Sequence, residues 1–156
     1  PSSLNRNGGK GGVAQRLLDL YDIADGDSIS VCWFPMEAAE SLSIRSEDGI
    51  CAIAIDPQRL RGLADEKVKL AHELGHCETG SFYNRFAALD VRQKHEHRAD
   101  RWAIQKLIPQ DALEEAIRCG RRELWELAEH FDVTEDLVRK AVCLYKHGNF
   151  AVDYYM

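Results

Sequence analysis

An α+β fold is what this chain of 156 residues predicts, and three observations carry it. Segments 28–34 and 49–56 are dense in branched and aromatic residues, as strands are. Longer stretches place apolar residues at steps of three and four, as helices do. The last third reads helix, short turn, helix.

Residues 13–23 have apolar side chains at 13, 17, 18, 20, 21 and 23, predicting an amphipathic helix that ends near Gly26. A strand over 28–34 follows, then a short helix over 35–42. The second strand, 49–56, contains Ile50, Cys51, Ile53 and Ile55 and is closed by Pro57. Its apolar run fits a buried strand.

The next helix, 65–77, has Asp65 as its expected N-cap, Glu66 in the first turn, and an apolar face of Val68, Leu70, Ala71 and Leu74. Gly80 is its expected stop. This helix contains His72-Glu73-Leu74-Gly75-His76, an H-E-x-x-H run. Two imidazoles four residues apart stand about 6 Å apart along a helix axis and can close on one zinc ion. Glu73 lies beside that ion, where a carboxylate takes a proton from the attacking water. The motif therefore predicts a metallopeptidase with Glu73 as the catalytic base. Gly75 costs helix propensity, which implies that another element approaches closely there.

Such a site needs a third ligand. The pattern H-E-x-x-H-x-x-G-x-x-H is excluded, because Thr79 and Phe82 occupy the positions where Gly and His would stand. Twenty residues past His76, Glu96, Ala99, Asp100, Ala103 and Leu107 share one stripe of a predicted helix that Pro109 ends. Glu96 would complete a His-His-Glu set, with His97 the next candidate. Asp100, one turn further on, would accept the second ring N–H of a ligating histidine. Ala99 and Ala103 would let this helix approach Gly75. Glu78 points around the helix, and Cys77 at about 100° from His76 reads as a small core residue.

The combination His72-Glu-Leu-Gly-His76, Glu96-x-x-Ala99-Asp100-x-x-Ala103 and Leu107-Ile108-Pro109 resembles the ImmA/IrrE metallo-endopeptidases, over the span from 50 to about 145. Several of these bacterial and prophage proteins cut a helix-turn-helix repressor. The resemblance implies a zincin-like minimal metalloprotease core of small β-sheet and active-site helices, gluzincin-like in its ligands, with a C-terminal helix-turn-helix-like subdomain. It implies His72, His76 and Glu96 on Zn2+, Glu73 as base and Asp100 in support. Many members carry asparagine where this chain has Asp100, and either side chain can accept from an imidazole. For the strand over 49–56 a likeness to zinc peptidases implies an edge that holds an extended peptide by main-chain pairing, beside the reading as a buried strand.

The expected organisation is a flexible arm over 1–12, a catalytic core over 13–109, a helical subdomain over 110–147 packed on that core, and a tail over 148–156. Residues 80–93 link the two site helices, and their Phe82 and Tyr83 either shape a substrate groove or plug the core. Candidate donors to the reaction's oxyanion are Tyr83, His95, His97, Tyr154 and Tyr155. His130 and His147 read as structural or exposed.

In the last third, 123–131 is helical, Asp132-Val133 forms a turn, and Thr134 caps a second helix. That helix opens Thr134-Glu135-Asp136, acids that phosphate would repel, so the unit reads as a packing or docking element. The formal charge of −6, with mixed signs throughout, also argues against nucleic acid. No stretch is apolar enough to span a bilayer, and the first residues lack a signal peptide's apolar core. Cysteines at 32, 51, 77, 119 and 143 form no C-x-x-C pair, which predicts free thiols and a cytoplasmic setting. The expected function is cleavage of an intracellular protein, a repressor by resemblance. Its rivals are a catalytically silent zinc-containing docking protein and a DNA-binding regulator.

Overall fold

Helix α1 (Leu17–Gly26) starts where Arg16 and Asp19 close on each other. The Asp19 carboxylate accepts the Arg16 backbone N–H at 2.8 Å, tying off a donor that a helix start leaves free. The helix therefore begins at Leu17 rather than at the expected residue 13. A computed structural model describes residues 14–84 and 86–150; the expected arm over 1–12, Val13, Tyr154 and Tyr155 lie outside the described residues. Its architecture is α+β, a small mixed sheet with helices and a C-terminal helical cluster, of minimal zincin-like topology.

Three strands form the sheet: β1 (Ser30–Trp33), β2 (Ser41–Arg45) and β3 (Cys51–Ile55), in the order β1-β3-β2. β3 pairs parallel with β1 and antiparallel with β2. Its Cys51, Ile53 and Ile55 are buried, in the core that also takes Leu20 of α1. Residues 35–40 are irregular and β2 follows, so the helix expected over 35–42 is not formed.

The register explains why the pattern misled. Ser41, Ser43 and Arg45 stand opposite Ile55, Ile53 and Cys51, on the face turned toward the helices, while Leu42 and Ile44 point outward. β2 thus inverts the usual apolar-in, polar-out alternation. The position of β3 is a second correction. It is the central strand and its Ile53 is fully covered, so it is the buried strand and not an open edge; β1 and β2 stand at the two edges.

A short 3-10 turn (Pro57–Arg59) leads to α2 (Leu63–Thr79). Its N-cap is Gly62 rather than Asp65, which sits inside the first turn and accepts the Arg61 backbone N–H at 3.0 Å. Gly80 ends the helix in the left-handed conformation, at φ 66°. Helix α3 (Leu89–Leu107) packs along α2, and Ile108 and Pro109 turn the chain into α4 (Gln110–Arg118).

Helices α5 (Leu124–Phe131) and α6 (Glu135–His147) complete the cluster. Asp132 makes the left-handed turn between them at φ 53°, and the Thr134 hydroxyl accepts the Leu137 N–H at 3.3 Å as the expected cap. The pair is tied to the rest of the fold by buried Lys67, whose ammonium donates to the Phe131 carbonyl at 2.8 Å. The Tyr145 hydroxyl donates to the Ile108 carbonyl at 2.7 Å. No helix among the described residues is long and apolar enough to cross a membrane.

Candidate metal centre

Helix periodicity puts His72 and His76 on one face of α2, and α3 brings Glu96 against both. His72 Nε2 lies 2.8 Å from Glu96 Oε2, His76 Nε2 lies 3.4 Å from Glu96 Oε1, and the two imidazole nitrogens are 3.2 Å apart. Among the described residues these three side chains form one group able to hold a metal ion, with a ligand atom from each within 4.8 Å of the others.

The contacts behind the cluster decide which nitrogens face inward. His76 Nδ1 lies 2.5 Å from the Ser81 carbonyl, which can only accept, so Nδ1 carries the hydrogen and Nε2 the lone pair. His72 Nδ1 donates in the same way to Asp100 Oδ1 at 2.8 Å. Two lone pairs facing each other at 3.2 Å, beside a carboxylate, repel unless a cation or a proton lies among them. Ligands at ordinary zinc distances in a tetrahedron stand ~3.3 Å apart, close to the separations found here. The donor set therefore fits a divalent ion.

With no ion among them, the same contacts favour protonated imidazoles beside an ionised carboxylate. Burial works against a charged His72, but hydrogen bonds to Asp100 and Glu96 overcome it and push its pKa up to about 10. His76 is also raised, against its own burial, by Glu96 and the Ser81 carbonyl. Burial would raise Glu96, yet His72, His76 and Tyr83 hold it far below the usual carboxylate range. Asp100 is lowered against burial by His72 and then Lys140.

Glu73 projects beside the cluster and is buried, accepting from the Ser41 hydroxyl at 3.0 Å. That contact comes from the inverted face of β2, and nothing in the local pattern around Ser41 signals it. A cavity of about 510 Å3 opens here, lined by Ser41, Ser43, His72, Glu73, His76 and Tyr83 among others. A second, of about 370 Å3, lies on the other side of His72 against α6. Lys69 borders both, paired with Asp65 and, at 3.1 Å, with Glu40.

The remaining sequence candidates separate. The Tyr83 hydroxyl donates to Glu96 Oε1 at 2.7 Å, while Phe82 packs on the core under the Arg45 guanidinium. Neither flanking histidine joins the cluster. His95 stacks near Tyr83 with ring centroids 6.1 Å apart, and His97 rests against Phe150 at 4.9 Å. Glu78 faces Asp27 and Lys106, and Cys77 sits beside Cys51, both thiols free. His130 and His147 are exposed. Lys140 of α6, whose ammonium reaches Asp100 Oδ2 at 3.3 Å, was invisible to sequence reasoning because its partner lies 40 residues away.

Gly75 has no room for a side chain, since a β-carbon there would meet the Ala99 carbonyl oxygen at 2.6 Å. That contact holds the histidine helix and the glutamate helix at cluster distance, as the glycine and the small residues of α3 imply. No curated protein sequence matches the chain. Residues 31–142, from β1 through most of α6 and enclosing every side chain of the cluster, match the peptidase M78 family, described as the IrrE N-terminal-like domain, and the chain belongs to that family.

Proposed function

We propose that this protein is a zinc-dependent metallo-endopeptidase that hydrolyses a peptide bond in a cytoplasmic protein, a helix-turn-helix repressor of a prophage, mobile element or stress response. The carrying observation is the convergence of His72, His76 and Glu96 with Glu73 buried alongside. Family membership supports it. So do the five free thiols, which suit a reducing compartment.

His72, His76 and Glu96 would hold the ion. Asp100 and the Ser81 carbonyl keep both imidazoles in the tautomer that offers Nε2. When bound, zinc supplies Lewis-acid activation of the attacking water and of the peptide carbonyl. Glu73 takes the water's proton and passes it to the leaving amine, its carboxylate aimed by the Ser41 hydroxyl. Tyr83, which lines the cavity, donates to the oxyanion as the tetrahedral centre forms. The outer edge of β2, which no strand among the described residues pairs, aligns the substrate as an added strand. Glu40 and Glu73 along this cavity favour neutral or basic substrate residues near the cut.

The test is metal content per chain, followed by incubation with a repressor encoded in the same operon, for the wild type and for Glu73→Gln. One zinc per chain in both proteins is expected, with a single cut whose rate falls on the order of 10²–10⁴-fold in the variant. A metal-free wild type that refuses added zinc, or undiminished cleavage by the variant, overturns the reading.

A further inference from the structure

We propose that Lys140 is a positioning residue for the metal centre, so that the C-terminal helical unit completes the site rather than merely packing on it. The inference rests on the metal-centre reading above. Asp100 uses both carboxylate oxygens: Oδ1 accepts from His72 Nδ1 at 2.8 Å and Oδ2 accepts from the Lys140 ammonium at 3.3 Å. The Asp100 side chain is 14% exposed and that of Lys140 34%. Both side chains line the second cavity, Asp100 the more covered of the two.

The terminal torsion of an aspartate is broad and nearly two-fold, so one hydrogen bond leaves the carboxylate plane loosely set. A second donor on the other oxygen fixes that plane, and with it the direction in which the His72 ring is held. Ligand orientation of this kind governs how well a histidine serves a metal. Lys140 is itself steadied. Asp136, one turn earlier on α6, lies 3.9 Å from its ammonium.

The helix that carries Lys140 cannot drift easily. Tyr145 of the same helix is bonded to the Ile108 carbonyl, and the end of α5 is bonded by Lys67, five residues before His72 on α2. The unit is thus clamped to both helices that supply the cluster. Lys140, one of the two cations that a nucleic-acid reader would turn toward phosphate there, faces the carboxylates of Asp100 and Asp136 instead.

The experiment measures zinc affinity by chelator competition on five metal-free proteins: wild type, Lys140→Met, Lys140→Arg, Asp100→Asn and the double variant D100N/K140M. The readout needs no substrate. Lys140→Met should weaken zinc binding about 10-fold, the lower end for residues that orient metal ligands, and Lys140→Arg should recover most of it. Adding Lys140→Met to Asp100→Asn should change affinity by less than about 2-fold, since a residue acting through Asp100 has nothing left to orient.

Unchanged or tighter zinc binding by Lys140→Met overturns the proposal. So do equal losses in the two backgrounds, which would mean that Lys140 acts on the fold or through its charge alone. A wild type that binds no zinc overturns the metal centre itself, and zinc binding without cleavage overturns only the peptidase.

Discussion

Gly75 and Ala99 touch backbone to backbone, with a β-carbon on the first destined to lie 2.6 Å from the carbonyl oxygen of the second. In a free helix alanine would be the better residue by about 1 kcal/mol. Here Gly75→Ala must push α2 and α3 apart, and overpacking of this kind costs roughly 1–3 kcal/mol. The expected result is a lower denaturation midpoint together with weakened zinc binding, although no ligand is altered. A stabilised variant with intact zinc affinity would contradict the close approach.

If zinc binds at the three side chains, protons should take its place in the metal-free protein, and pH should expose the exchange. His72 is raised to about 10 in the fold, so its contribution is complete below its unfolded value of roughly 6.5 and fades as pH climbs through about 10. Glu96 and Asp100 are depressed, so theirs is present above the ordinary carboxylate range and fades as pH falls below it. Metal-free protein should therefore be most stable near pH 5–6.5 and lose stability toward alkaline pH. Zinc must displace those protons, so its apparent affinity should rise across the same interval. Denaturation of both forms against pH, and calorimetry in buffers of different ionisation enthalpy, measure the two trends.

Tyr83→Phe separates two uses of one hydroxyl. Hydrogen bonding to Glu96, together with burial, pushes the Tyr83 phenol up to about 12, so it remains a neutral donor at neutral pH. As a donor to the oxyanion, its loss should lower kcat about 10²–10³-fold while KM and zinc affinity change little. A variant whose defect is confined to zinc affinity would reduce Tyr83 to a support for Glu96.

Ser41→Ala strips the buried Glu73 carboxylate of the donor that aims it. A hydrogen bond to a charged group contributes roughly 1.5–3 kcal/mol, so cleavage should fall about 10–100-fold. Zinc content should stay at the wild-type level, because Ser41 touches no ligand. Cleavage equal to wild type would remove β2 from the catalytic apparatus.

Main-chain pairing along β2 can be probed from the substrate side. A cleaved peptide carrying N-methyl groups at alternate positions near the cut should show a higher KM, by about 5-fold for each hydrogen bond of ~1 kcal/mol removed. Methylation in the other register should matter less. Equal effects in both registers would speak against strand addition.

The parts of this site that lie within one helix turn were legible in the sequence. His72, His76, Glu96 and Asp100 are placed by steps of three and four, and helix geometry alone aims them. Gly80, Pro109 and Thr134 were legible for the same reason, since each acts on its own neighbours, and Gly75 was legible because a glycine inside a helix costs propensity and so signals a close approach. Contacts made across the fold were not. Ser41 reaches Glu73 only because β2 turns its serines inward, which hides a strand from any reading that expects apolar residues there. Strand order puts β3 in the centre and leaves β1 and β2 at the edges, and order is not written in any one strand. Lys140 and Ser81 act through partners that only tertiary structure supplies.

The left-handed turn at Gly80 stops a helix and, one residue later, returns the Ser81 carbonyl to His76. A residue that meets neither ion nor peptide therefore decides which face of an imidazole is basic. A genetic screen scored on loss of activity will accordingly flag glycines beside genuine ligands, and the map of indispensable positions will be wider than the chemistry. Titrating each inactive mutant with zinc would sort the list.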